Sequence, residues 1–196
     1  YLVSMSSFGG LLAEYAGIYY KNPNHRLTRQ KFALGNYNAS LIRTVNGKMI
    51  TLIHDTSTPH PRENYRIQGT KGVYQGDATS KKIYIEGLSP REHQWEPAEP
   101  YLKQYEHPVV LNYNPPPRRG GKIEGHGGGG TQTPMIWHRL AIALRENKLP
   151  DWDVYDSVTS SAISPITEAS VAARGKPVDF PDFTKGKWKT NPKINP

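Results

Sequence analysis

The sequence predicts an α+β domain, and three observations carry that prediction. Two alternating apolar runs, Ser-Leu-Ile-Arg-Thr-Val from Ser40 and Lys-Met-Ile-Thr-Leu-Ile from Lys48, are separated by Asn46-Gly47, which specifies a β-hairpin. Behind Thr133-Pro134, apolar residues recur at three- and four-residue steps, which specifies a helix. A second helical stretch, Val154 to Arg174, is bounded by Pro150 before it and Gly175 after it.

Taken in order, Leu2 to Ser6 reads as a strand, and Leu11 to Tyr20 mixes helix period at Leu12, Tyr15 and Ala16 with strand-like aromatics. Ala39 to Asp55 is the hairpin. A two-residue type I′ turn at Asn46-Gly47 would pair Val45 with Lys48, Arg43 with Ile50, Leu41 with Leu52 and Ala39 with His54 on one face. Ile42, Met49, Thr51 and Ile53 would take the other. Both faces are then apolar, which suits a sheet with helices on one side and another surface on the second.

Tyr65 to Gln68 reads as a short strand, Gly69-Thr70-Lys71-Gly72 as the turn into Val73-Tyr74-Gln75, and Lys82 to Glu86 as a further strand. Proline, glutamate and aromatic residues dominate from Leu88 to Pro117, so the domain, taken as one unit over residues 1–196, carries a long excursion at about 88–124 with a short helix around Tyr101 to Tyr105. The central helix should start with Thr133 as N-cap and Pro134 at its first position, and run to about Asn147. Its stripe of Ile136, Trp137, Leu140, Ala141 and Leu144 should face the core. Asp151 to Asp153 can cap the next helix, Val154 to Ala162, and Ser164-Pro165 restarts it as a second helix or as a kink. The tail 176–196 is extended, with Val178 to Phe183 packing against the body.

Composition excludes several classes. The 17 prolines and 18 glycines argue for turns and surface loops. Twelve tyrosines and four tryptophans supply aromatic surface of the kind that sugar-binding and interface proteins use, and tyrosine is also an ordinary strand residue. The net charge of +8 is scattered, with local groups at Arg118-Arg119-Lys122 and at Lys185, Lys187 and Lys189, so no nucleic-acid face is assembled. No apolar run is long enough to span a membrane. The absence of cysteine fits the cytoplasm or an export route that makes no disulfides. The chain opens at Tyr1-Leu2-Val3 inside a strand, which reads as a fragment.

The candidate site centres on Gly125 to Gly130, five glycines in six positions around His126, running into the central helix. Such a loop passes through positive φ and approaches a ligand closely, and it also reads simply as a connector. No Gly-Lys-Ser/Thr follows and no convincing strand precedes it, so neither nucleotide-binding fingerprint is satisfied. The seven histidines lack metal-ligand spacing, no Gly-x-Ser-x-Gly elbow is present, and no carboxylate pair stands out.

A resemblance adds to this reading. The run Asn36 to Lys48, His54-Asp55-Thr56, Gln68-Gly69-Thr70-Lys71-Gly72, Gly125-His126-Gly127-Gly128, Asp153-Val154-Tyr155-Asp156 and the ending Pro177 to Lys189 resemble the C-terminal domain of the Gfo/Idh/MocA oxidoreductases. The similarity is greatest to the NAD-dependent glycoside hydrolases of family 109, which include α-N-acetylgalactosaminidases. It implies an open-faced mixed, largely antiparallel β-sheet with helices on one face, the other face making a homo-oligomer. It further implies a periplasmic or secreted hexosidase, the cytoplasm remaining open. Its tightly held NAD would oxidise the sugar at C3, assist loss of the C2 proton and elimination, and return the hydride after water adds. The alternatives are a sugar dehydrogenase of the same superfamily and a non-catalytic sugar-binding or oligomerisation domain.

In that family NAD sits on an N-terminal Rossmann domain that this sequence lacks, and the catalytic histidine, in a Thr-His-Gly-like motif, would fall upstream of Tyr1. No catalytic or cofactor-binding residue is therefore assigned within these residues. His126 and Gly127 fall on the family's sugar-site rim, where the family continues Met-Asp or Ser-Asp and this chain inserts glycines and reads Gln132-Thr133. The family's substrate-contacting tyrosine matches Tyr65 by type and Arg62 by spacing from Pro61, and Tyr65 reads equally as a strand-core residue.

Overall fold

A computed structural model describes residues 1–31, 35–56, 64–77, 79–112 and 132–190. In chain order the elements are β1 (Leu2–Ser6), α1 (Leu11–Tyr19), β2 (Tyr37–Arg43), β3 (Met49–Asp55), β4 (Tyr65–Gln68), β5 (Gly72–Gly76), β6 (Lys81–Ile85), β7 (Glu96–Pro97), α2 (Glu99–Gln104), α3 (Pro108–Leu111), α4 (Gln132–Arg145), α5 (Val154–Ser161) and α6 (Ile163–Ala172). The class is α+β, as the alternating and periodic runs predict. The strands form two open sheets, β1-β2-β3 and β4-β5-β6-β7, and every strand pairing among the described residues is antiparallel. The chain divides into two compact units, Tyr1–Arg62 with Val154–Thr190, and Glu63–Asp153.

In the first unit the hairpin forms, with a different register. Arg43 pairs with Met49, Ile42 with Ile50, Ser40 with Leu52 and Asn38 with His54, one residue away from the pairing expected of a two-residue turn. The loop is three residues, Val45-Asn46-Gly47, closed by the Gly47 amide on the Thr44 carbonyl at 3.0 Å and the Thr44 amide on the Lys48 carbonyl at 2.9 Å. A type I′ turn needs positive φ at two residues, whereas this loop needs it only at Gly47, where φ is 74°. Glycine adopts that conformation without a Cβ penalty, so the longer loop avoids straining Asn46. The slip exchanges the faces: Ile42 and Ile50 now lie with Leu2, while Leu41, Met49 and Ile53 lie with Met5.

The inner face of β1 and β2 packs on α6. Leu2, Ile42, Ala162 and Ile166 form the buried cluster, and Ile163, Val178 and Phe180 close over it. Leu2 and Val178 exchange backbone hydrogen bonds at 2.9 Å in both directions, so the tail packs on the body as expected. Beside this apolar cluster lies a buried hydroxyl row. Ser4 Oγ and Ser40 Oγ are 2.9 Å apart, Ser40 Oγ lies 3.3 Å from Thr167 Oγ1, and Ser170 Oγ accepts from the Ser4 amide at 2.9 Å while donating to the Lys176 carbonyl at 2.8 Å. Buried hydroxyls are tolerated here because these four find partners of this kind.

Two helices, α5 and α6, occupy Val154 to Ala172, and α6 begins at Ile163, before the Ser164-Pro165 pair, so Pro165 sits in its first turn, where no amide is needed. Its end is a Schellman motif: the Gly175 amide reaches the Ser170 carbonyl at 2.8 Å and the Arg174 amide the Val171 carbonyl at 3.0 Å.

In the second unit β4 to β7 form a meander. Asp77 builds the β5–β6 turn by accepting from Thr79 and Ser80, and these bonds, the Thr79 amide first, hold its carboxyl at about 2. The excursion is not bare loop over its described part, since α2 and α3 occupy it, with α2 at the place foreseen for a short helix.

Two expectations for α4 fail. The helix starts at Gln132, so Thr133 lies inside it and is not the N-cap. The apolar stripe is also not buried: Ile136, Trp137 and Leu144 are 65%, 66% and 72% exposed, and Ala143 is the helix's buried position. Periodicity marks a face that would gain by burial, but among the described residues no element of this unit covers it. At its end, Asn147, with φ 50°, lets the Lys148 amide reach the Ala143 carbonyl at 2.8 Å, a Schellman stop three residues before Pro150. Asp151, read from the sequence among the possible caps of α5, forks onto the Arg139 guanidinium, which lowers its carboxyl pKa.

Candidate functional site

Of the four candidate residues, Tyr65 lies within the described structure, and His126, Gly127 and Arg62 lie outside the described residues. The Gly125–Gly130 loop that the sequence reading centres on is outside them too. The site geometry available is therefore the surroundings of Tyr65.

Tyr65 opens β4 and pairs with Gly76 at the end of β5. The two-residue period of the strands places Tyr65 and Ile67 on one face with Gly76 and Tyr74 of β5, Ile83 of β6 and Glu96 of β7. The Tyr65 ring lies over Gly76, where an added Cβ would come within 2.8 Å of Cζ and of the hydroxyl oxygen. From there its hydroxyl reaches to 3.5 Å from the Tyr74 hydroxyl, with ring centroids 5.8 Å apart. The Tyr74 phenol is pushed up to about 12, first by the hydrogen bond from its proton-bearing form to Tyr65, then by desolvation and the nearby Tyr65 and Glu99.

Next to this pair, Glu96 accepts from the Tyr101 hydroxyl at 2.9 Å, which raises the Tyr101 pKa. The face thus presents aromatic rings, neutral phenols and a carboxylate on a sheet, with Tyr65 41% and Ile67 68% exposed. Rings suit the apolar C–H face of a sugar, and phenols and carboxylates suit its hydroxyls. Tyr74, Glu96 and Tyr101 were missed in the sequence. Their meeting depends on register across β4 to β7, although the two-residue alternation of Tyr65, Ile67 and Tyr74 was there to be read.

Several described histidines have local structural partners. His25 Nδ1 accepts from the Leu27 amide, His107 Nδ1 caps α3 through the Val109 amide at 3.2 Å, and His93 stacks on Tyr84. Among the described residues no group of three His, Asp or Glu side chains has the arrangement to hold a metal ion.

The comparisons with known proteins agree with one another. Residues 1–190 match the family described as Glycosyl hydrolase 109, C-terminal domain. The chain is 39% identical over 194 residues to glycosyl hydrolase family 109 protein 2 of Shewanella sp. (strain ANA-3), covering 97% of this chain and 40% of the relative. It is 37% identical over 190 residues to a glycosyl hydrolase family 109 protein of Solibacter usitatus, covering 96% and 41%. It is 35% identical over 166 residues to a protein of Tannerella forsythia named alpha-N-acetylgalactosaminidase, covering 84% and 33%. The chain thus spans between 33% and 41% of the length of these three curated relatives.

Proposed function

The chain belongs to the glycosyl hydrolase 109 family through its C-terminal domain, and from that premise we propose that it forms the substrate side of a glycoside hydrolase acting on a hexoside such as an N-acetylgalactosaminide. The observation that carries the reading is the match over residues 1–190, and the tyrosine and carboxylate face around Tyr65 supports it. In this reading Tyr65 packs against the sugar ring and offers its hydroxyl, while His126, Gly127 and Arg62, which lie outside the described residues, are the further sugar contacts that the family resemblance implies.

We assign the NAD of this reading to no residue described: a Rossmann domain receives the pyrophosphate on the glycine turn of a parallel βαβ unit, and every strand pairing among the described residues is antiparallel. The NAD of this reading, with the redox chemistry it supplies, belongs to a Rossmann domain on a longer polypeptide. The outer face of β1 to β3, with Met5 74% exposed and Tyr37, Leu41, Met49 and Ile53 also exposed, is the surface we assign to a second copy of the chain.

The test is a full-length protein of the relatives' length, assayed on a panel of nitrophenyl glycosides. Chromophore release without added NAD, lowered about tenfold by His126→Ala, supports the reading. Net NADH production favours a sugar dehydrogenase, and a preparation with no bound NAD and no turnover favours a binding domain.

A further inference from the structure

Gly76 is buried and pairs with Tyr65 across β4 and β5, yet its φ is outside the left-handed region that calls for glycine. Its backbone would accept any L residue. What bars a side chain is the Tyr65 ring, whose Cζ and hydroxyl oxygen stand 2.8 Å and whose Cε2 stands 3.1 Å from the place a Cβ would occupy. A glycine at a paired, buried strand position loses packing and costs conformational entropy, and here, at the last residue of β5 and with ordinary φ, it accompanies a close approach by another group. That group is one aromatic ring. The ring ends beside a second phenol, with the Tyr65 and Tyr74 hydroxyls 3.5 Å apart and the two rings tilted by 36°.

We propose that Gly76 and Tyr74 are positioning residues for Tyr65: the empty place at residue 76 seats the ring flat on the sheet, and the Tyr74 hydroxyl fixes where the Tyr65 hydroxyl points. The proposal rests on the reading of Tyr65 as a sugar contact. The physical reason is pre-organisation. A ring that is 41% exposed has little packing of its own to hold it, and without the seat it would sample several rotamers and present its face to a sugar only part of the time. The seat removes that freedom before the ligand arrives. Because the atoms met by a Cβ belong to the far end of a side chain, Gly76→Ala should displace the ring instead of unfolding the strand pair. The carboxylate of Glu96, held by Tyr101 on the same face, stays where it is in that variant, so the change is confined to Tyr65.

The experiment is steady-state kinetics of the full-length protein on a nitrophenyl N-acetylgalactosaminide, with melting temperatures measured alongside. Gly76→Ala should raise KM about tenfold with kcat changed by less than about twofold, the pattern of lost ground-state binding. Tyr65→Ala should do the same, and adding Gly76→Ala to Tyr65→Ala should cost nothing more, because the ring that the methyl displaces is gone. A Gly76→Ala protein with unchanged KM, beside a Tyr65→Ala protein whose KM rises, overturns the positioning role and leaves the sugar contact standing. An unchanged KM in a folded Tyr65→Ala protein removes Tyr65 from the site and the proposal with it. Where Gly76→Ala fails to fold, Tyr74→Phe decides: it keeps the ring and deletes the hydroxyl, and a KM raised about threefold supports the proposal while an unchanged KM overturns it.

Discussion

Thr44 and Lys48 close the β2–β3 loop with two bonds, the Thr44 amide on the Lys48 carbonyl at 2.9 Å and the Lys48 amide on Thr44 Oγ1 at 3.0 Å. That closure makes the loop three residues long and leaves Gly47 as its one positive-φ position. Gly47→Ala should therefore destabilise by roughly 1 to 2 kcal/mol. Asn46→Ala should change stability by less than about 0.5 kcal/mol. Equal losses for the two substitutions in denaturant unfolding would restore the two-residue turn.

Leu2 is fully buried among Ile42, Ala162 and Ile166. Leu2→Ala removes its methyl groups and leaves a cavity between β1 and α6, so a loss of roughly 2 to 5 kcal/mol is expected. A denaturation midpoint within error of the unaltered protein would mean that this cluster is not the core of its unit.

Ser170, fully buried on α6, is a structural bridge. Its hydroxyl takes the Ser4 amide and gives to the Lys176 carbonyl, so Ser170→Ala strands the buried Ser4 amide and removes the tie to the segment after α6. The expected loss is roughly 1 to 3 kcal/mol, and the faster hydrogen exchange it causes should be concentrated at the Ser4 amide. Uniform exchange across β1 would contradict the bridge.

Tyr74 gives a pH signature. Its phenol is raised from 10.0 to about 12, so the stability it contributes is complete below pH 10 and is lost as pH climbs through about 12. In an absorbance titration of the folded protein, Tyr74 should ionise among the late tyrosines, with Tyr84 and Tyr101 also raised, and Tyr74→Phe should remove one equivalent from the late part of the curve. Loss of that equivalent from the early part instead would contradict the shift at Tyr74.

The outer face of β1 to β3 predicts self-association, since Met5, Leu41, Met49 and Ile53 form an apolar surface on a paired sheet. Light scattering should report more than one copy per particle. Leu41→Glu, which places a carboxylate at the centre of that face, should return a monomer, and a monomeric unaltered protein would sink the assignment.

Local chemistry made much of this chain legible in one dimension. Strand β1 at Leu2–Ser6 and the hairpin around Gly47 follow from alternation and turn residues, while the helices after Val154 follow from Pro150 before them and Gly175 after them. These signals act over a few residues, so no partner is needed to read them. Register is different. A one-residue slip changes no composition, and it was decided by which loop strains Asn46 less. Burial of α4 is different too, because Ile136, Trp137 and Leu144 have the spacing of a core stripe and yet stand exposed. Spacing describes the helix, whereas burial depends on what lies opposite. The surroundings of Tyr65 belong to the same class: Gly76 and Tyr74 meet it only because β4 and β5 pair in one register, and Glu96 joins that face through β6. Only the tertiary pairing of strands could bring a missing side chain under one ring and a second hydroxyl beside it.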